Sequence, residues 1–467
     1  MKIDVDRLSI KNKDIALYGA GGKTGRSVAE FLSSLGCRLY LYDDRDLSEL
    51  EDTLRSYNMD EGKISWIEEK KDLLQAEVII TSPGVSLHRE IFRQAERQGI
   101  SILSEIELAY NFFDRYLIAI TGTNGKTTTV SLAGQMLNRG LESREVVTAG
   151  NIGKPLLEAM AESSADAIMV VEVSSFQLAA IKNFRPEIAA LLNFAPDHLD
   201  WHKNLQNYRR AKQNIFTNQS EDDMALIDID SEKTIEMAET SQAQIVKIGT
   251  SADKSDILVD GDIFARSGEA NSDKKKLVEG SSAKMIGGHN LKNIAFAAAI
   301  AREMEVDSKV IREVICDFSP PPHRMQEVYR DDNILIIDDS KATNPHAACS
   351  ALSSLPQDLH KVIIAGGQDR GVNLNSLAAE ISSRVSGAVL LGEIADKLES
   401  KLEDYGFQNC SKVNDMKQAV KESLEMTGGE GIIILSPGAP SWDMYKSYKE
   451  RGSIFQKYAG KFLGVEI

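Results

Sequence analysis

The chain has 467 residues, 42% of them apolar and 27% charged, enough for real cores and for about three domains of roughly 150 residues each. Asp and Glu outnumber Lys and Arg by 70 to 54, a net charge of −16. That argues against nucleic acid or an anionic membrane as a partner and requires any phosphate to be held locally, by loops and placed cations. No apolar run approaches the ~18 residues of a membrane span, the N-terminus lacks a signal-peptide core, and Cys37, Cys316, Cys349 and Cys410 form no C-x-x-C pair, so a cytoplasmic protein with four buried, reduced thiols is expected.

Short apolar runs ended by Gly, Pro, Asp or Ser alternate with amphipathic segments throughout, the pattern of buried parallel strands joined by helices, which predicts an α/β fold. The first run leads into "GAGGKTG", a strand, Gly-rich turn and helix. With Asp43 ending the next strand, this looks like a dinucleotide fingerprint and its ribose-binding acid, although the glycine spacing is off by one and the same architecture holds other phosphorylated nucleotides. Ser82, Pro83 and Gly84 end a further strand in a tight turn that serves either the same ligand or only the chain's own geometry.

A second block opens at Tyr116 with "YLIAITGTNGKTTTV", a strand, a Gly- and Thr-rich turn and an amphipathic helix. Gly122 and Gly125 let backbone N–H groups approach anionic oxygens, and the helix N-terminus adds its dipole. Lys126 would reach the β- and γ-phosphates, and the Thr127 hydroxyl suits Mg²⁺. The spacing G-x-x-G-K-T is shorter than the general phosphate-loop motif, and no N-K-x-D base-reading motif accompanies it, which counts against a guanine-nucleotide switch. Glu172 ends the next strong strand, where such sheets place their chemistry and where a carboxylate suits Mg²⁺, and Ser174, Ser175 and Gln177 follow with neutral groups. "LLNFAPDHLDWH" sets His198 and His202 four apart, but H-E-x-x-H is absent, which disfavours zinc. His198 reads as a Mg²⁺ or substrate contact, and His202 as a surface or packing residue. Lys212, in "YRRAKQNIF", reads on its own as a solvated helical lysine. The polar stretch 251–282 predicts a hairpin-rich segment.

"FSPPPHRM" predicts an extended linker and a third block from about Arg324. There "LIIDDSKATNPHA", "IAGGQDRGVNL" and "LSPGAPSWDMYKSYKERG" bring Asp339, Lys341, Thr343, Arg370, Ser441 and Tyr448 to the ends of strands. Cations and hydroxyls so placed suit a small dicarboxylic acid.

"GAGGKTG", "TSPG", "TGTNGKTTT", "GNIG", "VEVSSFQL", "DHLD", "YRRAK", "GHNLKN", "PHR", "DDSKATNPHA", "GGQDRG" and "LSPGAPSWDMYKSYKERG" occur in this order along nearly the whole chain, which thereby resembles the Mur ligase family. The resemblance implies three domains: a Rossmann-like UDP-sugar-binding domain over 1–115, a P-loop NTPase-like ATP-binding domain over 116–323 and a Rossmann-like amino-acid-binding domain over 324–467. It implies ATP on Gly122, Thr123, Asn124, Gly125, Lys126, Thr127 and Thr128, with Asn290, Arg324 and Asp339, and Mg²⁺ at Thr127, Glu172, His198 and a carbamate on Lys212. Lys126, His198 and Lys212 would be catalytic. Gly21, Asp44, Arg45, Ser82, Pro83 and Gly84 would meet the UDP-sugar, Asn151, Ser174 and Gln177 its muramoyl-alanine end, and Lys341, Thr343, Arg370, Ser441 and Tyr448 the incoming glutamate. Arg370 stands where the family usually has lysine.

The implied reaction joins D-glutamate to UDP-N-acetylmuramoyl-L-alanine through an acyl phosphate, for peptidoglycan synthesis, on a monomer. The D-N-P-R motif of relatives that add diaminopimelate or lysine is absent, which favours glutamate. An L-glutamate-adding relative and a folate-type polyglutamate ligase are alternatives of the same class. A nicotinamide-dependent oxidoreductase, resting on Gly19–Gly25 and Asp43, and a nucleotide-driven binding module without chemistry are alternatives of other classes.

Overall fold

The computed structural model describes residues 10, 13–46, 48–50, 63–266, 274–283 and 288–465. The chain forms two compact units: one is the chain through Phe194 with Trp201–Val278 and Asn293–Ile315, the other Ala195–Asp200, Glu279–Lys292 and the chain from Cys316.

Among the described residues the first unit holds two sheets. One is five-stranded and parallel, in the order Ile64–Trp66, Arg38–Tyr42, Asp14–Tyr18, Val78–Thr81, Ser101–Ser104. Its strands are apolar on both sides because both faces are covered: Val28, Ala29 and Leu32 of helix Lys23–Ser34 pack on one, Phe92 and Ala95 of helix Glu90–Arg97 on the other. Gly25 lets helix Lys23–Ser34 sit close on the turn before it, since a Cβ there would lie 2.5 Å from the Gly19 carbonyl oxygen.

The other sheet is nine-stranded. It is parallel from Val146–Gly150 through Ile168–Glu172, Tyr116–Thr121, Ile188–Leu191, Met224–Asp228 and Gln244–Gly249 to Ile257–Asp260. Asp262–Arg266 and Lys274–Val278 then add antiparallel strands, the hairpins expected in this stretch, of which 267–273 lie outside the described residues. The chain leaves Tyr116–Thr121 toward one edge and later returns on its other side at Ile188–Leu191, so the sheet reverses its winding beside this strand. In open α/β sheets the crevice at such a point, beyond the strands' carboxyl ends, is where ligands bind.

Helix Glu105–Phe112 ties the two sheets together. The buried Glu107 carboxylate accepts the backbone N–H groups of Lys182, Asn183 and Phe184 at 2.9, 2.8 and 2.9 Å and the Asn111 side-chain amide at 2.8 Å. Glu105 accepts the Leu157 N–H at 2.6 Å, and burial pushes its carboxyl up to about 7.

The second unit has a six-stranded sheet in the order Gln326–Arg330, Ile334–Asp338, Gly431–Gly438, Lys361–Gly366, Gly387–Leu391, Cys410–Lys412, parallel except for its first pair. Separate apolar clusters cover its two faces. Helix Tyr448–Leu463 is held to the strand ends by Arg451, whose buried guanidinium donates to Ser340 Oγ at 3.0 Å, the Ser340 carbonyl at 2.8 Å and the Ala439 carbonyl at 3.0 Å. Both Rossmann-like sheets and the central sheet thus give the three-domain α/β fold expected.

None of the four cysteines is in a disulfide, but only Cys37 is buried as expected. Cys316 is exposed because it falls off the buried Ile311–Val314–Ile315 stripe of its helix, and Cys410 is half-buried because it lies on an edge strand. Cys349 is half-buried as well. Among the described residues no helix is long and apolar enough to cross a membrane.

Candidate functional site

Strand Tyr116–Thr121 ends in the crevice, and the turn after it opens helix Lys126–Gly140. Gly125 is the N-cap, with φ +84°, a left-handed conformation that favours glycine, and a Cβ there would run into the Asn293 side chain. Gly125 has no side chain with which to cap this helix, whose start carries the positive end of the helix dipole. Asn193, just past strand Ile188–Leu191, pins the loop. Its Oδ1 accepts the Asn124 N–H at 2.9 Å, its amide donates to the Asn124 carbonyl at 3.0 Å, and its carbonyl accepts the Thr123 N–H at 3.2 Å. Thr123 Oγ1 lies 3.1 Å from the Tyr208 hydroxyl.

Two ammonium groups converge on this loop. Lys126 Nζ donates to the carbonyls of Gly122 and Thr123 at 2.8 and 2.9 Å, and Lys212 Nζ donates to the same Gly122 carbonyl at 2.7 Å and to Thr121 Oγ1 at 3.4 Å. Lys212 is therefore not the solvated lysine that its helix alone suggests: it is 1% exposed, with Nζ 5.0 Å from the Tyr208 ring centroid.

Beside the loop, Thr127 Oγ1 donates to Glu172 Oε2 at 2.7 Å and the Asn151 side chain donates to Oε1 at 2.8 Å. Ser174 and Gln177 form a capping box at the start of the short helix Ser175–Leu178, with the Ser174 N–H and hydroxyl donating to Gln177 Oε1 at 3.0 and 2.8 Å. His202 is a packing residue, 1% exposed, with Nε2 2.9 Å from Ser175 Oγ and its ring against Phe176. Among the described residues no group of three or more His, Cys, Asp or Glu could hold a metal alone. The donors present, one carboxylate and one hydroxyl beside a phosphate loop, fit Mg²⁺, which takes few protein ligands and completes its shell with phosphate oxygens and water.

At the carboxyl ends of the five-stranded sheet, Asp43 accepts the Gly21 N–H at 2.9 Å and pairs with Arg45 Nε at 2.9 Å, so this acid shapes the turn. Asp44 meets the Tyr18 hydroxyl at 2.9 Å, Lys70 at 3.0 Å and Arg89 at 2.7 Å. Burial raises the Asp44 carboxyl, but Lys70, Tyr18 and Arg89 outweigh it and hold it below its ordinary value, while burial pushes the Tyr18 hydroxyl up to about 12. With two cations to one carboxylate, the surroundings of Asp44 suit an anion. Ser82 Oγ donates to the Gly19 carbonyl at 2.8 Å, locking the turn of Ser82, Pro83 and Gly84 against the glycine-rich one.

In the second unit, Asp339 accepts from Ser436 Oγ at 2.8 Å and from the Met325 N–H at 3.2 Å, and burial pushes its carboxyl up to about 7 against these bonds and the charge of Arg324. Asp197 Oδ2 accepts from the Asn344 amide at 2.9 Å and Oδ1 from the His198 N–H at 2.8 Å, which orders His198 at φ +53°. Asp197, Thr343, Gln368 and Arg370 line one narrow cleft. Lys341 Nζ lies 4.3 Å from the Tyr448 ring centroid, and Ser441 is buried. Asn290 is on helix Gly288–Glu303. The first unit thus gathers Lys126, Thr127, Glu172, Asn151 and Lys212, and the second gathers Thr343 and Arg370 with Asp197, to which His198 is bonded. Asn193, Tyr208, Asn293, Lys70, Arg89 and Trp442 escaped the sequence reading.

Family comparisons match residues 13–104 to the Mur ligase MurD-like N-terminal domain, 120–301 to the Mur ligase middle domain and 323–439 to the Mur ligase glutamate ligase domain. The UDP-N-acetylmuramoylalanine–D-glutamate ligase of Clostridioides difficile (strain 630) is 35% identical over 463 residues, 96% of this chain and 98% of the relative. The enzyme of that name from Salinibacter ruber (strain DSM 13855 / M31) is 35% identical over 450 residues, 94% of this chain and 95% of the relative. Among solved structures, the UDP-N-acetylmuramate-alanine ligase MurC of Thermotoga maritima superposes with a TM-score of 0.59 at 19% identity, covering 97% of this chain and 99% of that one. MurF ligase from Thermotoga maritima, in complex with ADP, gives 0.59 at 18% identity, covering 98% and 97%. At these identities the two structures establish a shared fold.

Proposed function

Because the chain belongs to the Mur ligase family, we propose that it is the ATP-dependent ligase that adds D-glutamate to UDP-N-acetylmuramoyl-L-alanine in peptidoglycan precursor synthesis. The observation that carries this reading is the near full-length likeness to D-glutamate ligases of several bacteria. The phosphate loop supplies matching chemistry.

In this reading the alanyl carboxylate attacks the γ-phosphorus of ATP, forming an acyl phosphate as the bond to ADP breaks. The amine of D-glutamate, in its neutral form, then attacks the acyl carbon and phosphate leaves. Lys126 and the amides of Gly122, Gly125, Thr127 and Thr128 hold the phosphates and stabilise the charge in transfer, while Thr123 and Asn124, whose own N–H groups are taken by Asn193, shape the loop around them. Asn290, Arg324 and Asp339 hold the nucleoside. Thr127 and Glu172, with His198 and a carbamate on Lys212, would hold Mg²⁺, which supplies charge neutralisation at the phosphates. The proton lost by the amine goes to His198, if its ring is near the metal and not on it, or to a metal-held group. Gly21, Asp44, Arg45 and Ser82–Gly84 bind the UDP-sugar, Asn151, Ser174 and Gln177 its alanyl end, and Lys341, Thr343, Arg370, Ser441 and Tyr448 the amino acid. The same proposal sets domain limits at 115/116 and 323/324 and places a monomer in the cytoplasm, where ATP is made and free thiols persist.

Purified protein given ATP, Mg²⁺, UDP-N-acetylmuramoyl-L-alanine and either glutamate enantiomer decides the matter by phosphate release and product mass. Release should require both co-substrates and the D-enantiomer. Release independent of the acceptor, or a preference for L-glutamate, sinks the proposal.

A further inference from the structure

The loop after strand Gly431–Gly438 carries an unusual side chain for its setting: Trp442 is 63% exposed, yet the backbone on both sides of it is anchored. Ser441 is buried and its carbonyl accepts the N–H groups of Met444 at 3.2 Å and Tyr445 at 2.8 Å. Asp443 Oδ2 accepts the Glu393 N–H at 3.1 Å. The same Glu393 reaches a second loop, its Oε2 accepting the Asp369 N–H at 2.9 Å, and the Gln368 N–H donates to the Pro440 carbonyl at 2.8 Å. Glu393 and Pro440 thus fix the loop of Arg370 and the loop of Trp442 against each other. Across that junction the Arg370 guanidinium carbon lies 4.7 Å from the Trp442 ring centroid.

We propose that Trp442 is a positioning residue for the incoming amino acid: its indole face orients the Arg370 guanidinium at the cleft so that the planar N–H edge meets the side-chain carboxylate of a dicarboxylic amino acid. A ring over the guanidinium face blocks none of arginine's in-plane N–H groups, which are the ones that meet a carboxylate. Gln368 Oε1, 3.3 Å from Arg370 Nε, and Asp200, 3.9 Å from Nη1, limit rotation in that plane. A lysine, a point charge on a flexible stem, gains little from such a ring, so Arg370 and Trp442 act as a pair.

This inference rests on the function proposed above, and its test separates the two. In Trp442→Ala the KM for D-glutamate should rise about tenfold, with kcat and the KM for ATP and for the UDP-sugar near the native values. Trp442→Phe should restore most of the loss. Trp442→Ala added to Arg370→Lys should cost far less than it does alone. An unchanged KM for D-glutamate in Trp442→Ala, or additive losses in the double variant, overturns the pairing. If the native enzyme forms no amide with D-glutamate, the functional proposal fails, and fluorescence titration of the native protein and Trp442→Phe with glutamate and aspartate enantiomers still decides the pairing. A saturable change that depends on Trp442 supports it, and no such change with any of the four overturns it.

Discussion

At the scale of single residues, the two lysines of the Gly- and Thr-rich loop are held by backbone carbonyls of the chain itself. Lys126 and Lys212 share the Gly122 carbonyl, which brings two ammonium groups to one point of the loop; the carbamate proposed on Lys212 would turn the second into an anion that suits Mg²⁺. Replacing Lys126 with Met should lower turnover by roughly 10²–10³, the scale for one lost charge-stabilising donor, with an unchanged circular dichroism spectrum. Turnover within a few-fold of native would remove Lys126 from the proposed role. Asp339 gives a pH dependence. Burial raises its folded-state value to about 7 from 3.8, so between about pH 4 and pH 7 the folded protein keeps a proton that the unfolded chain has lost. Its contribution to stability is full below that window and declines as pH rises through it. Between pH 5 and pH 7.5 the denaturation midpoint of the native protein should therefore fall more than that of Asp339→Asn, and equal falls would show that the folded carboxyl is not raised. Lys212 shows what a sequence reading can miss and why. Tyr208, Ala211 and Lys212 are spaced i, i+3, i+4 and form the buried face of helix Leu205–Gln213. Their spacing was available in the sequence, but lysine on a buried stripe goes against its usual preference, and the Gly122 carbonyl and Thr121 hydroxyl that meet it are brought there by the fold.

At the scale of elements, strands were legible because burial on both faces writes itself as an unbroken apolar run, as in Ile168–Glu172, whose residues are all buried. The glycines and Lys126 marked the phosphate loop for the same local reason. What holds the loop was not legible. Asn193 follows an apolar strand as any loop asparagine would, and its role arises from the pairing of Ile188–Leu191 with Tyr116–Thr121, a contact distant in sequence. Glu107 is of the same kind: nothing local marks it, whereas in the fold it collects three backbone N–H groups from 182–184. Glu107→Ala should lower the unfolding free energy by about 3 kcal/mol, because the buried Phe184 N–H and its neighbours lose a charged acceptor. Urea denaturation at neutral pH would show this as a lower midpoint with an unchanged slope, and a loss under about 0.5 kcal/mol would show that water replaces the carboxylate.

At the scale of the whole molecule, the order of twelve short motifs was enough to indicate the family and its three domains, since that order is a property of the chain as a line. The partners that cluster around each site are properties of the folded object, which is why Lys70 and Arg89 beside Asp44, or Trp442 beside Arg370, were absent from that reading. The bonds of helix Glu105–Phe112 have a further consequence. Its two buried glutamates belong by sequence to the first sheet, while the amides that satisfy them, at Leu157 and 182–184, belong to the second. The N-terminal module is therefore not an interchangeable cassette: a chimaera spliced at residue 115 inherits two sequestered acids and must import matching amide donors from the same parent.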